Sequence, residues 1–206
     1  GPVVSGGSDA IGSGVYSQFD GLSRRNRIQY DTPMMGGFKL GLTHVQGDAW
    51  DASLRYSAKY GDIGMKVAAG FAYWNYGART DVADDGIGGS VSLLHDSGAN
   101  LTFSSGTFDR EASSATIDDP VGYFVKPGWK LGLAPWGKTN VSLHYGRTDD
   151  LQAQDDEFTS WGFAVVQNID KVGAEIFGFY RQYDLDRTGE NFEEIDIGGI
   201  GARIKF

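Results

Sequence analysis

The sequence has no cysteine among its 206 residues, which excludes disulfides, thiolate metal sites and cysteine nucleophiles at once. Proline is scarce at 5 residues, whereas glycine is abundant at 31 and aromatics make up 13%. So much glycine would cost helices about 1 kcal/mol per interior position, but it suits strands joined by tight turns. No run of about 18 apolar residues occurs, so no transmembrane helix is expected. The longest apolar-looking stretch, near Val67–Tyr73, is broken by Gly70. Basic residues are in deficit: 18 Lys plus Arg against 27 Asp plus Glu give a net charge of −9. An acidic total argues against a nucleic-acid partner. The opening residues Gly1-Pro2-Val3-Val4 show neither the basic stretch nor the apolar core of a secretory leader. There is no phosphate loop, no G-x-S-x-G elbow and no G-x-G-x-x-G turn after a strand, so no enzyme is expected and no catalytic residue is assigned.

What the sequence does contain is alternation with a period of two, about ten residues at a time, punctuated by turn residues. Ala52, Leu54, Tyr56 and Ala58 share one face, opposite Ser53, Arg55, Ser57 and Lys59. Met65, Val67, Ala69, Phe71 and Tyr73 likewise oppose Lys66, Ala68, Gly70 and Ala72. Val141, Leu143 and Tyr145 oppose Ser142, His144 and Gly146. Eleven strands follow, near 23–31, 36–46, 50–60, 62–76, 86–96, 99–110, 120–132, 138–148, 156–168, 171–184 and 193–206. The fold class is all-β, an antiparallel up-and-down arrangement. Hydropathy alone would describe a water-soluble chain, yet transmembrane barrels hide their apolar band at alternate positions.

Two features favour a transmembrane barrel over a soluble one. Connectors alternate between short turns, such as Gly61-Asp62 and Ser97-Gly98, and longer acidic loops, such as 111–119, 149–157 and 186–194; short turns at one end and long loops at the other mark outer-membrane barrels. Aromatics also fall into two girdles. Tyr30, Phe38, Tyr60, Trp129 and Phe206 lie at the short-turn end, and Trp50, Tyr73, Tyr145 and Trp161 near the long-loop end. Eleven is an odd number, and unpaired strand edges in lipid leave backbone groups unsatisfied. Further strands, from the same protein or another chain, are therefore expected.

The segment Phe19-Asp20-Gly21-Leu22-Ser23-Arg24-Arg25-Asn26-Arg27-Ile28-Gln29-Tyr30-Asp31-Thr32-Pro33, followed by Gly36-Gly37-Phe38, resembles the proteobacterial general porin family, in which such a stretch follows the third extracellular loop. The closing residues Ile200-Gly201-Ala202-Arg203-Ile204-Lys205-Phe206 resemble the outer-membrane C-terminal signature, whose terminal Phe is read by the assembly machinery. The likeness covers the family from the third loop onward. It implies a sixteen-stranded barrel with an aqueous channel, of which residues 1–22 are the inward-folded constriction loop and 23–206 the barrel strands. It also implies passive diffusion of small hydrophilic solutes and ions across the outer membrane of a Gram-negative bacterium, a homotrimer, and contact with membrane lipid and lipopolysaccharide.

In such a pore the chemistry is electrostatic filtering. The resemblance assigns Arg24, Arg25 and Arg27 to a basic cluster at the constriction, with Asp9 and Asp20 as the opposing acids. Arg24 has the wrong parity for a regular strand, so its role rests on resemblance. Parity alone places Lys39, Arg55, Lys59 and Lys66 on the lumen wall, with Lys126, Lys130, Arg203 and Lys205 beyond them. No metal or cofactor is expected. The one candidate is Ca²⁺ in the acidic loops, at Asp81, Asp84 and Asp85 or at Asp149, Asp150, Asp155 and Asp156, against the plainer reading of solvated carboxylates. His44, His95 and His144 sit on separate strands without ligand spacing. A plugged barrel that anchors other envelope components is the alternative, and bulky apolar residues filling the lumen would mark it.

Overall fold

A chain whose side chains alternate every second residue buries or exposes whole faces at a time, so its strands are fixed in register once one face is committed. In the computed structural model, residues 22, 26–77, 83–110 and 117–204 are described. They form one eleven-stranded antiparallel sheet in simple chain order, each strand paired with the next. The strands are β1 Arg27–Asp31, β2 Phe38–Val45, β3 Ala49–Tyr60, β4 Met65–Asn75, β5 Ala83–His95, β6 Ala99–Arg110, β7 Val121–Ala134, β8 Gly137–Asp149, β9 Glu157–Ile169, β10 Ala174–Asp186 and β11 Ile195–Ile204. From β3 onward they are 10 to 14 residues long, enough to cross a hydrocarbon layer at the tilt barrels adopt.

Every expected strand has its counterpart. β4 and β10 begin later than expected because Gly61–Ile63 and Asp170–Val172 each form a single 3₁₀ turn before the chain reverses. Gly64 and Gly173 close these turns in the left-handed region, at φ 61° and 60°, and their N–H groups donate to the carbonyls of Gly61 and Asp170. The brief β2–β3 turn at Gly47-Asp48 has both residues at positive φ, the conformation whose twist matches a two-stranded ribbon. β7 runs on to Ala134, leaving only Pro135-Trp136 as its turn. The expected start of β1 and the end of β11 lie outside the described residues.

The two faces differ sharply. One exposes Ile28 at 78%, Leu143 at 58% and Ile200 at 93%, among many other large apolar side chains. In water such a face would drive aggregation; in lipid it is the solvated face. Tyr30, Phe38, Tyr60 and Trp129 lie exposed on it at the short-turn end, and Trp50, Tyr145 and Trp161 at the other. Neighbouring girdle rings touch across strands, as in Phe38–Tyr56, Trp50–Tyr73, Tyr123–Tyr145 and Trp161–Tyr180. Their polar ends are tied down: Tyr73 donates to Asp85 and Tyr180 to Asp196, each at 2.7 Å. Trp161 Nε1 donates to Gln182. The opposite face is concave and mixes Gly, Ser and Lys with rings such as Trp74 and Phe177, and β1 and β11 each pair along one edge only among the described residues.

Replacing Gly64 with Ala puts a side chain at φ 61° and within 3.0 Å of Asp96, and is expected to destabilise by about 1–2 kcal/mol. Gly61→Ala meets open space and should be near neutral. Urea-unfolding midpoints of the refolded protein read the difference.

Candidate functional site

Cross-strand partners share a face, so register alone fixes which side chains line the concave wall. Lys39 pairs with Arg55, Arg55 with Gly70, and Lys59 with Lys66. Arg27, Gln29 and Asp31 oppose Val45, Thr43 and Gly41. The side chains expected to line the lumen therefore do lie on one face.

Asp31 organises the first part of this wall. Its carboxylate accepts from Arg55 at 2.7 Å, pairs with Lys39 at 2.9 Å and accepts from Gln29 at 3.3 Å. Arg55 lies two strands away, and the intervening residue is Gly41. A Cβ there would stand 2.8 Å from Asp31 Oδ1 and 2.9 Å from Arg55 Nη2. Glycine at this position is thus what lets the guanidinium cross β2. Lys59 and Lys66, by contrast, face each other across β3 and β4.

Large rings also occupy the concave face, but they lean over neighbouring glycines. Phe177 leans over Gly201, Phe179 over Gly199, His144 over Gly162 and Trp74 over Gly86; in each case a Cβ on the glycine would meet the ring at 2.5–2.8 Å. Trp74 is buried, and its Nε1–H has no partner among the described residues. The rings thus cover the wall without filling the space before it. A concavity of about 630 Å³ opens over Arg55, Gly70, Gly88, Ser90, Ser104 and Phe124.

At the long-loop rim one acidic residue is not solvated. Asp156 is buried, and its two oxygens accept from Arg187 Nε and Nη2 at 2.6 Å each. The Ala153 N–H donates to the same carboxylate. This hydrogen bonding makes Arg187 hold its proton more tightly than an ordinary arginine, against the opposing effect of its partial burial. The pair clasps the β8–β9 loop to the β10–β11 loop, with Arg187 also over the Phe192 ring at 5.7 Å. Asp149 pairs with Arg147, and Asp150 accepts from the Asp155 N–H. Asp156, expected to be either solvated or a cation ligand, is an arginine partner instead. Among the described residues no group of three acids or histidines is placed to hold a metal.

Lys39 and Arg55 are brought together by Asp31, and Arg27 lies on the same face at the far end of β1. Asp9, Asp20, Arg24, Arg25 and Phe206, and also Lys205, lie outside the described residues. Two side chains of the wall escaped the sequence reading. Asp31 sits within the motif that carries the family resemblance, but it stands in sequence as an ordinary strand-end acid. Arg181 occupies the concave face of β10 opposite Gly162; strict alternation from Ile176 would have marked it.

The profile of the family described as Gram-negative porin matches residues 2–188. No curated protein matches the sequence. Among solved structures, the chain is similar to OmpT, an outer membrane protein of Vibrio cholerae, with a TM-score of 0.55 and 17% identity over 85% of this chain and 62% of that one. A loop L8 deletion mutant of OmpT gives a TM-score of 0.57 and 14% identity over 85% and 61%. The chain thus spans about three-fifths of those proteins, and at such identity the likeness concerns the fold.

Asp156→Asn strands Arg187, whose side chain is 19% exposed, and is expected to weaken the rim by up to about 3 kcal/mol. Faster protease nicking within 150–156, with the strands still protected, is the expected result.

Proposed function

The chain belongs to the Gram-negative porin family and is a protein of the outer membrane, and on that premise we propose that it forms the wall of a water-filled pore for passive diffusion of small hydrophilic solutes and ions. The observation that carries this reading is the contrast between faces: large apolar side chains crowd the outward face, whereas the inward face carries small polar and charged groups, rings that lean over glycines, and few exposed aliphatics such as Leu94 and Ile197. Such a wall stays wet, and a wet lumen is what conduction needs. A plugged anchoring barrel would instead fill this space with bulky apolar groups. No reaction is needed, and we assign no catalytic residue.

Filtering then rests on charge. Lys39, Arg55, Lys59 and Lys66 supply a basic wall, of which Asp31 neutralises part. In this proposal residues 1–22 fold inward as the constriction loop, Asp9 and Asp20 facing Arg24, Arg25 and Arg27. Opposed charges across a narrow gap set up a transverse field that favours dipolar solutes. Hydrocarbon tolerates no unpaired strand edge, so further strands, from the same protein or another chain, join β1 and β11 to close the barrel. Lipid and lipopolysaccharide surround the apolar face, and a homotrimer is the assembly that the family resemblance suggests.

Planar-bilayer recording of the natively extracted protein tests this reading. Large open-channel steps in groups of three, with a reversal potential displaced toward the anion, are expected. No conductance from protein shown to be folded would defeat it. Asp31→Asn frees Lys39 and Arg55 and should raise the anion-to-cation permeability ratio about two-fold, since charges 4 Å apart in water interact by about 1 kcal/mol before screening.

A further inference from the structure

Fixed charge changes sign along the strands. At the short-turn end, Lys59 and Lys66 face each other on the lumen side, each next to the terminal residue of its strand. Lys130 opposes Asn140 on that side. Lys138, two residues before Asn140, reaches over Gly132, where a Cβ would stand 3.2 Å from its Nζ. All four lysines are exposed, and none has a carboxylate partner among the described residues. The lumen acids at this end are already held, Asp31 by Lys39 and Arg55, and Glu175 by Arg203. Asp62, Asp96 and Asp170 lie in the turns beyond the strands, together with Lys171.

The long-loop end has the opposite sign. Its connectors carry Asp48, Asp118, Asp119, Asp155, Glu190 and Glu194, all exposed, and Arg187 is their one basic side chain among the described residues. That arginine is neutralised by Asp156. Arg110, the last residue of β6, is turned to the Asp150 and Leu151 carbonyls, and its backbone N–H donates to Asp119. The length of β3 separates Asp48 from Lys59. At a rise of about 3.3 Å per residue and a tilt of about 40°, they stand about 28 Å apart along the pore axis. The Debye length is about 10 Å at 0.1 M salt, so the two zones act separately instead of cancelling.

We infer that the pore rectifies ion current: an acidic long-loop mouth in series with a basic short-turn exit passes more current when the long-loop side is positive. The inference rests on the pore reading above and gives it a direction. The acidic mouth gathers cations and the basic exit gathers anions. With the long-loop side positive, cations enter through the mouth and anions through the exit, and both accumulate where the zones meet. With the polarity reversed, each ion must enter through the zone that repels it, and the meeting point is depleted. A cylindrical wall that is basic throughout would select anions and yet conduct equally in both directions. The change of sign along the axis, not the total charge, carries the inference.

The experiment is the current–voltage curve of the natively extracted, intact protein in planar bilayers at low and high KCl. Orientation is read from Thr188→Cys, on the exposed β10–β11 loop of a chain with no cysteine of its own. After biotinylation of that thiol, streptavidin perturbs the current only from the long-loop chamber. At about 0.1 M KCl the current should be about two-fold larger with the long-loop side positive, and at about 1 M, where the Debye length is about 3 Å, the ratio should approach one. Lys59→Gln with Lys66→Gln should move the low-salt ratio about halfway to one. So should Asp155→Asn with Glu190→Gln, a pair on exposed connectors where Asn accepts the positive φ of residue 155. Equal currents at both polarities in low salt, a larger current with the long-loop side negative, an unchanged ratio at high salt, or wild-type ratios in both paired variants overturns the rectifier, while normal KCl steps leave the pore reading standing. No KCl conductance from folded protein overturns both.

Discussion

Everything in this protein depends on the main-chain hydrogen-bond ladder. In hydrocarbon no water can satisfy a stray N–H or C=O, so each strand must pair along its length with the next. The eleven strands do this in unbroken chain order. Pairing fixes register, and register fixes which residues stand side by side. The Lys39–Asp31–Arg55 network follows from it. Slipping one strand by a residue would turn every cation on it into the lipid. The ladder is therefore as much a constraint on the pore's charge as on its fold.

Glycine is the second partner in this design. A lumen lined only by small residues gives up packing area, whereas one lined by upright rings gives up its bore. Laying rings sideways over Gly86, Gly162, Gly199 and Gly201 avoids both losses. Gly41 serves the same end for charge, opening the path by which Arg55 reaches across β2 to Asp31. These glycines have no unusual backbone torsion; what they supply is the missing Cβ.

The fold was legible because its signal is local. Alternation in 52–59 and 65–73 names the strand and its faces without any neighbour, and the acidic, turn-rich gaps mark the ends. The lumen-facing lysines and arginines followed by parity. What parity does not give is partnership. Asp31 reads as one more acid at a strand end, and only the β1–β2–β3 register shows it between Lys39 and Arg55. The pairing of Asp156 with Arg187 spans 31 residues of sequence and joins two separate loops, so nothing in either loop predicts it. The 3₁₀ turns at Gly61–Ile63 and Asp170–Val172 were missed because residues of such turns can also sit in a strand, and only the left-handed glycine after them decides.

The clasp between Asp156 and Arg187 has a consequence for how the exposed rim can change over time. It ties the loops at their bases, beside the start of β9 and the end of β10, holds Gln152 and Ala153 as well, and leaves the stretch 188–191 outside the knot. Insertions and substitutions there alter what an antibody or a phage would meet while the anchored base holds its shape. The protein thus separates a surface free to diversify from a conduit that is not, and a single ion pair marks the boundary between them.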